Sequence, residues 1–144
     1  MISGDTTNEA VRPLFIVNVE GVILRGERYL MILRGEGEGH AAGTLSMPGG
    51  KVELNEIGDD VLERALEREI SEEVGLEVLS TTYLESKAFI ADDGEPVVDT
   101  VFLCACAEGE PSVTHPEGEV FDHPKTPPWI RQSVAKAELR RSKP

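Results

Sequence analysis

The first fifty residues alternate short apolar runs with turn residues, a pattern typical of β-strands. Residues 14–19 and 21–24 are apolar and β-prone, and after a turn a hairpin is predicted to continue into residues 29–33. A further short strand is predicted over residues 44–47, because Pro48 lacks the backbone donor that a continuing strand needs. The two glycines after Pro48 are predicted to form a tight turn.

One helix is especially well defined by its periodicity. Over residues 61–74 the apolar positions recur every four residues, at Leu62, Leu66, Ile70 and Val74. This spacing predicts an amphipathic helix with one buried face. Asp59 or Asp60 can cap its start, and Gly75 lies where a left-handed C-terminal cap is expected.

The second half of the chain predicts a long hairpin and a final helix. Residues 78–90 and 97–107 are predicted strands around a turn rich in Asp, Gly and Pro. Thr126 followed by two prolines is a helix-start signal, and an amphipathic pattern follows it. The order of strands, helix, strands and helix predicts an α/β fold of the α+β type, in which a mixed sheet lies between helices.

Composition narrows the possible functions. The chain has 144 residues and a formal net charge of -13, which argues against binding a nucleic acid polymer, because phosphate backbones are held chiefly by Lys and Arg. Residues 1–12 are predicted to be a flexible leader and residues 13–144 a single domain. Neither a signal peptide nor a membrane span is expected, so the predicted location is the cytoplasm. Cys104 and Cys106 are predicted to be unpaired, since neighbours two apart on a strand make poor disulfide partners.

The polar face of the predicted helix carries the candidate chemistry. Glu69, Glu72 and Glu73 are spaced three and four residues apart, which places their carboxylates on one side of the helix. Such carboxylates repel one another unless a cation binds between them, and Arg68 can share that task with a metal ion. Taken alone, the same pattern is also typical of a solvated acidic face.

The residues around these carboxylates resemble a known family pattern. Residues 48–53 read Pro-Gly-Gly-Lys-Val-Glu, and residues 68–76 read Arg-Glu-Ile-Ser-Glu-Glu-Val-Gly-Leu. Together they resemble the box of the Nudix hydrolases (MutT-like), in which Gly, five residues, Glu and seven residues precede the Arg-Glu segment. Here eleven residues separate Glu56 from Arg68, so four extra residues are predicted, within 57–60. Alternatively, Asp60 takes the place of Glu56.

The resemblance implies an α/β/α sandwich and a hydrolase that cleaves a nucleoside diphosphate linked to another group, with Mg²⁺ or Mn²⁺ as cofactor. By resemblance, Glu69 and Glu73 are the primary metal ligands. Glu72 binds a second ion or orients water, and the Gly49 carbonyl completes the metal shell. Arg68 orients the carboxylates and is counted, with Glu69 and Glu72, among the catalytic residues.

Other positions are predicted to contact the substrate or the reacting water. Arg34, Gly50 and Lys51 are the candidate substrate-binding residues, Arg34 because a guanidinium suits phosphate geometry. The general base is left open among Glu69, Glu72 and an acid outside the box. Glu117 and Glu119 are the candidates for that outside acid, and Glu56, within the box, is a further candidate site residue.

The identity of the substrate stays open at this stage. A nucleoside triphosphate is slightly favoured because the chain is short, and ADP-ribose or a nucleotide sugar is the alternative. A non-catalytic module of the same fold that only binds a nucleotide is the rival from another class, although such modules usually lose carboxylates that this chain keeps. A homodimer is a further expectation.

Overall fold

The computed structural model describes residues 14–33, 44–111 and 126–141. Within these ranges the chain forms two helices, α1 (Val61–Val74) and α2 (Pro128–Arg141). The strands of the same ranges are, in chain order, β1 (Ile16–Arg25), β2 (Arg28–Tyr29), β3 (Ile32–Leu33), β4 (Leu45–Ser46), β5 (Gly49–Lys51), β6 (Val78–Ile90) and β7 (Pro96–Cys106).

A mixed sheet forms the middle of the fold. Strand β1 pairs in parallel with β7 and antiparallel with both β2 and β5, and β6 pairs antiparallel with the other edge of β7. Strands β3 and β4 form a separate antiparallel pair. The parallel β1–β7 pairing within an otherwise antiparallel sheet confirms the predicted mixed topology.

Each face of the sheet is covered by one helix, because the β1 side chains alternate between two apolar layers. On one face, Val19 and Ile23 lie in a core with the buried stripe of α1. On the other face, Val22 lies in a second core with Ile130 and Val134 of α2. The predicted α/β/α arrangement is therefore observed, and α1 lies against the part of the sheet that contains β5 and β1.

The boundaries of α1 and β6 match the predicted ranges 61–74 and 78–90. Gly75 ends α1 in the predicted left-handed conformation, with φ of 71°, and its N–H donates to the Ser71 carbonyl. The predicted start differs: Asp60 precedes the helix in a left-handed conformation and its side chain makes no capping hydrogen bond. An N-cap needs an extended backbone to bring its oxygen over the first turn, which this conformation does not provide.

The prediction of a tight turn at Gly49 and Gly50 was wrong. Both residues belong to strand β5, where they pair with Glu20 and Val19 of β1, and neither has a positive φ. These glycines let β5 approach β1 and α1 closely, and their backbone conformation does not itself require glycine.

The long hairpin of β6 and β7 is confirmed, with the second strand starting one residue earlier than predicted. Cys104 is buried, Cys106 is half-buried, and both are free thiols, as expected. Burial raises the pKa of Cys104 to about 12, so this thiol is inert at neutral pH. Within the residues that the structure describes, neither helix has the length and apolar character needed to cross a membrane.

Candidate active site

The candidate site forms where strand β5 passes beneath helix α1. A side chain at Gly49 would press on β1, since its Cβ would lie within 3.0 Å of both carbonyl atoms of Val19. A side chain at Gly50 would press on the helix, since its Cβ would lie within 2.7 Å of both carboxylate oxygens of Glu69. Two successive glycines therefore let one strand touch its neighbour and the helix at the same time.

The backbone of β5 is also bonded directly to the helix. The Gly49 N–H donates to Oε1 of Glu73 at 2.8 Å, and Nη2 of Arg68 donates to the Lys51 carbonyl at 2.9 Å. The Glu73 carboxylate and the Arg68 guanidinium thus hold the two ends of β5. The Lys51 side chain itself is exposed.

Arg68 lies at the centre of a group of carboxylates. Its guanidinium grips Glu56 in a bidentate arrangement, with Nε to Oε2 at 2.9 Å and Nη2 to Oε1 at 3.0 Å. Its Nη1 lies 3.2 Å from Glu69 and 3.1 Å from Glu72. A planar guanidinium can serve several carboxylates in this way because its donors point in fixed directions. Arg68 therefore balances much of the negative charge that the sequence places here.

This geometry decides between the two interpretations of the spacing upstream of α1. Glu56 pairs with Arg68 despite the eleven intervening residues, and its Oε1 also accepts from the Glu53 N–H at 2.8 Å. Asp60 instead occupies the left-handed position before the helix. Residues 57–60 precede α1, and the assignment of the four extra residues to them stays a prediction. The pairing with Arg68 favours Glu56 over Asp60 as the glutamate of the family pattern.

The surroundings of the carboxylates shift their pKa values in opposite directions. Burial, the largest influence, raises the pKa of Glu69, although the adjacent Arg68 works against it. The hydrogen bonds from Arg68 lower the pKa of Glu56, and in return they raise the pKa of Arg68. Glu56 is thus a firmly charged partner of the arginine, whereas Glu69 carries a charge that burial disfavours.

Comparison with known proteins places this geometry in a family. The sequence profile of the NUDIX domain matches residues 15–141, which is most of the chain. A solved MutT NUDIX hydrolase from Burkholderia pseudomallei is 30% identical, with a TM-score of 0.70, over 86% of this chain and 98% of that one. The chain belongs to the Nudix family. It is a pyrophosphohydrolase, as the box predicts.

More distant structures share the Nudix fold. The NUDIX domain of Shewanella oneidensis NrtR, solved with ADP ribose, is 16% identical with a TM-score of 0.71, over 94% of this chain and 93% of that one. A UDP-X diphosphatase is 15% identical with a TM-score of 0.65, over 98% of this chain and 72% of that one. None of the curated protein sequences compared with the chain matches it significantly.

An open groove runs along the Nudix box. Its volume is about 720 Å³, within the range of small-molecule sites, and it is lined by Lys51, Val52, Glu53, Leu54, Asn55 and Glu69. The half-buried Glu69 therefore faces a space that a substrate can enter. The groove also contains Glu53, whose Oε1 lies 3.9 Å from Nε of Arg68.

The donors of the Nudix box suit a hard divalent ion, because all of them are oxygens. Within the described residues, however, no three His, Cys, Asp or Glu side chains are already arranged around one point. Glu69 and Glu72 face Arg68, and Glu73 faces the Gly49 N–H. A cation beside Glu69 would favour the charged carboxylate that burial now disfavours, so this residue fits the role of a ligand.

Sequence reasoning missed several residues of this Nudix domain. Glu53 lies within the quoted box but was given no role, and its position three residues before Glu56 was the available signal. Asn18 and Asp99 form a hydrogen bond between β1 and β7 that was also missed. Each interrupts an apolar strand run, and this interruption was the available signal. Three predicted site residues, Arg34, Glu117 and Glu119, lie outside the described residues, as does the predicted leader.

Proposed function

We propose that this enzyme hydrolyses the diphosphate bond of a nucleoside diphosphate linked to another group, using Mg²⁺ or Mn²⁺. One observation carries the proposal: β5 and α1 bring the Gly49 backbone, Glu69 and Glu73 together at the edge of an open groove. These are the oxygen donors that Mg²⁺ prefers, and a bound Mg²⁺ can in turn take phosphate oxygens of the substrate as ligands. The donors come from two elements held in contact by glycines.

The proposed roles follow from the positions of the side chains. Glu69 and Glu73 hold the metal together with the Gly49 carbonyl, and Glu72, which is more exposed, holds a second ion or orients water. Arg68 keeps the carboxylates in place through its bonds to Glu56 and the Lys51 carbonyl. When bound, the metal supplies charge neutralisation of the diphosphate and a water of lowered pKa.

Among possible substrates we favour a nucleoside triphosphate, with ADP-ribose or a nucleotide sugar as the alternative. The ADP-ribose complex and the UDP-X diphosphatase concern proteins under 25% identical to this one, so they support the shared fold alone. Lys51 lines the groove, and Gly50 lies against Glu69, which also lines it; both Gly50 and Lys51 are proposed to contact the phosphates. The homodimer, the cytoplasmic location and the identity of the general base stay predictions.

A hydrolysis panel tests the proposal. Nucleoside triphosphates, ADP-ribose, nucleotide sugars and dinucleoside polyphosphates are each incubated with Mg²⁺, with Mn²⁺ and with a chelator, and the products are resolved by ³¹P NMR. We expect a nucleoside monophosphate and pyrophosphate from a triphosphate, only with metal present. Turnover that persists in chelator, or hydrolysis of no member of the panel, would contradict the proposal.

A further inference from the structure

Two polar side chains meet inside the sheet, on the face covered by α2. Nδ2 of Asn18 in β1 donates to Oδ1 of Asp99 in β7 at 2.7 Å. The relative exposure of Asp99 is only 1%, yet within the described part of the chain its second oxygen, Oδ2, has no hydrogen-bond partner. A buried acceptor without a partner costs free energy, so its presence needs an explanation.

The sheet register locates this pair relative to the Nudix box. Asn18 lies opposite Lys51 of β5 on one side and opposite Asp99 on the other, and Asp99 lies opposite Lys87 of β6. We call Asn18, Asp99 and Lys87 the polar row. Since neighbouring strands are about 4.8 Å apart, Asp99 lies about 10 Å across the sheet from the strand that carries the box glycines. A nucleotide with its phosphates at β5 would extend its base over a comparable distance.

The first half of α2 reaches the level of the same row. Near the end of this helix, Nη2 of Arg140 donates to the Tyr83 carbonyl, and one turn earlier Nζ of Lys136 donates to Glu85 at 2.8 Å. Following both elements for two further strand residues places residue 132, about one turn after the helix begins at Pro128, level with the polar row, given rises of about 3.3 Å in a strand and 1.5 Å in a helix. Thr126, two residues before the first residue of α2, is buried, and its hydroxyl also has no partner among the described residues.

We propose that Asp99, held in orientation by Asn18, is a specificity-determining residue that accepts a hydrogen bond from an exocyclic amino group of the substrate nucleobase. The proposal rests on the proposed function, because it assumes a nucleotide whose phosphates lie at the Nudix box. A carboxylate repels phosphate and attracts N–H donors. Val97, which flanks Asp99 on the same face, is apolar, which suits a planar ring. Val101, on the other side of Asp99, packs in the core beneath α2.

Asp99→Asn is a sharp perturbation while Asn18 keeps its observed orientation. The donor of Asn18 then requires an oxygen at the Oδ1 position, and the new amide nitrogen occupies the Oδ2 position. An acceptor is thereby replaced by a donor of nearly the same size. A base with an amino group would then meet a second donor and lose its bond.

The test compares nucleotides that differ by one amino group. The α,β-methylene analogues of GTP and ITP form one pair, and those of ATP and purine riboside triphosphate form the other. Binding to the full chain is measured by calorimetry with Mg²⁺. In at least one pair the wild-type protein is expected to prefer the amino base about tenfold or more, and Asp99→Asn is expected to reduce this preference to about twofold or less. Wild-type binding without preference in either pair, or without any binding, overturns the proposal.

Two controls separate recognition from a structural role. Ser133→Ala removes another buried hydroxyl of the α2 layer, one that donates to Glu85, and should leave the binding ratio unchanged. Comparing ribose with deoxyribose analogues should show no change in their ratio on Asp99→Asn, and a change there would overturn the base assignment in favour of the sugar.

If Asp99→Asn does not fold, the wild-type protein still gives a result. The side-chain amide of Asn18 should shift in ¹H–¹⁵N NMR spectra with the amino-base analogue and not with its partner, and equal shifts would count against the proposal. Because binding needs no turnover, failure of hydrolysis would contradict the proposed function and leave this test intact.

Discussion

The two glycines of β5 allow a prediction that separates stability from catalysis. Neither has a positive φ, so replacing either by Ala meets no backbone restriction, and only the contacts of the new methyl group matter. At Gly49 the methyl group meets the backbone of β1, at the Val19 carbonyl and the Glu20 Cα. At Gly50 it meets the end of a flexible side chain, the carboxylate of Glu69.

The expected magnitudes differ accordingly. Gly49→Ala can be relieved only by moving β5 away from β1, and we expect it to lose about 2–3 kcal/mol of unfolding free energy, in the range of overpacked cores. Gly50→Ala can be relieved by rotating Glu69 at a cost of about 1 kcal/mol. Alanine also restricts the unfolded chain, which raises the unfolding free energy by about 0.4–1 kcal/mol and offsets much of that cost. The stability of Gly50→Ala should therefore stay within about 1 kcal/mol of the wild type.

Gly50→Ala should lower turnover strongly although it changes stability little. Displacing the Glu69 carboxylate by about 1 Å is expected to lower kcat/KM about a hundredfold. Urea unfolding monitored by circular dichroism gives the stability, and pyrophosphate release with Mg²⁺ gives the turnover. Gly94→Ala, in the turn between β6 and β7, is a matched control, because its methyl group meets nothing within 4 Å. Its positive φ should cost about 1–2 kcal/mol without changing turnover.

Two results would refute this reasoning. Full turnover by a folded Gly50→Ala variant would show that the position of Glu69 does not matter for catalysis. Equal losses of stability in the Gly49 and Gly50 variants would show that the contacts of the two methyl groups do not differ as the structure has them.

Three further predictions follow from the same structure. Glu73→Gln should keep the fold, since its amide oxygen can still accept from the Gly49 N–H, but should lose most Mg²⁺-dependent turnover; near-wild-type kinetics would contradict the ligand role. Deleting residues 57–60 should leave α1 and turnover largely intact by circular dichroism and kinetics, and loss of both would give the loop a structural role. Burial raises the pKa of Glu85, but hydrogen bonds from Lys136 and Ser133 lower it overall. The stability that Glu85 adds relative to Glu85→Gln, measured by urea unfolding, should therefore be full above pH 4.5 and vanish as the pH falls through the lowered pKa; a constant difference would contradict this.

The parts of the fold that sequence predicted well are those with long periodic patterns. Helix α1 has the predicted bounds because its four-residue apolar spacing is sustained over 14 residues. Strand β6 has the predicted bounds because Gly75 precedes it and turn residues follow it. The character of β5 was not predictable in this way. Two adjacent glycines are compatible with a turn as well as with a crowded strand, and only the packing of β1 and α1 against them distinguishes the two.

The site was predictable in its residue types and not in its pairings. The box spacing placed Glu69, Glu72 and Glu73 on one face, and the structure brings all three close to Arg68 or to β5. The Asn18–Asp99 pair joins residues 81 positions apart through the parallel pairing of β1 and β7. A sequence pattern within one strand cannot indicate such a contact, because it depends on the register between strands.

The four extra residues before α1 have a simple geometric explanation. With the seven-residue spacing of the family pattern, the arginine after Glu56 would be residue 64, and Arg64 is indeed present there, one helical turn before Arg68. Arg64 bonds the loop itself, donating to the Asp59 carbonyl at 2.8 Å and the Ile57 carbonyl at 3.1 Å. Arg68, and not Arg64, forms the ion pair with the Glu56 carboxylate. An addition of four residues, close to one full turn, keeps both arginines on the same side of the helix, so the loop gains its own anchor while the box keeps its ion pair.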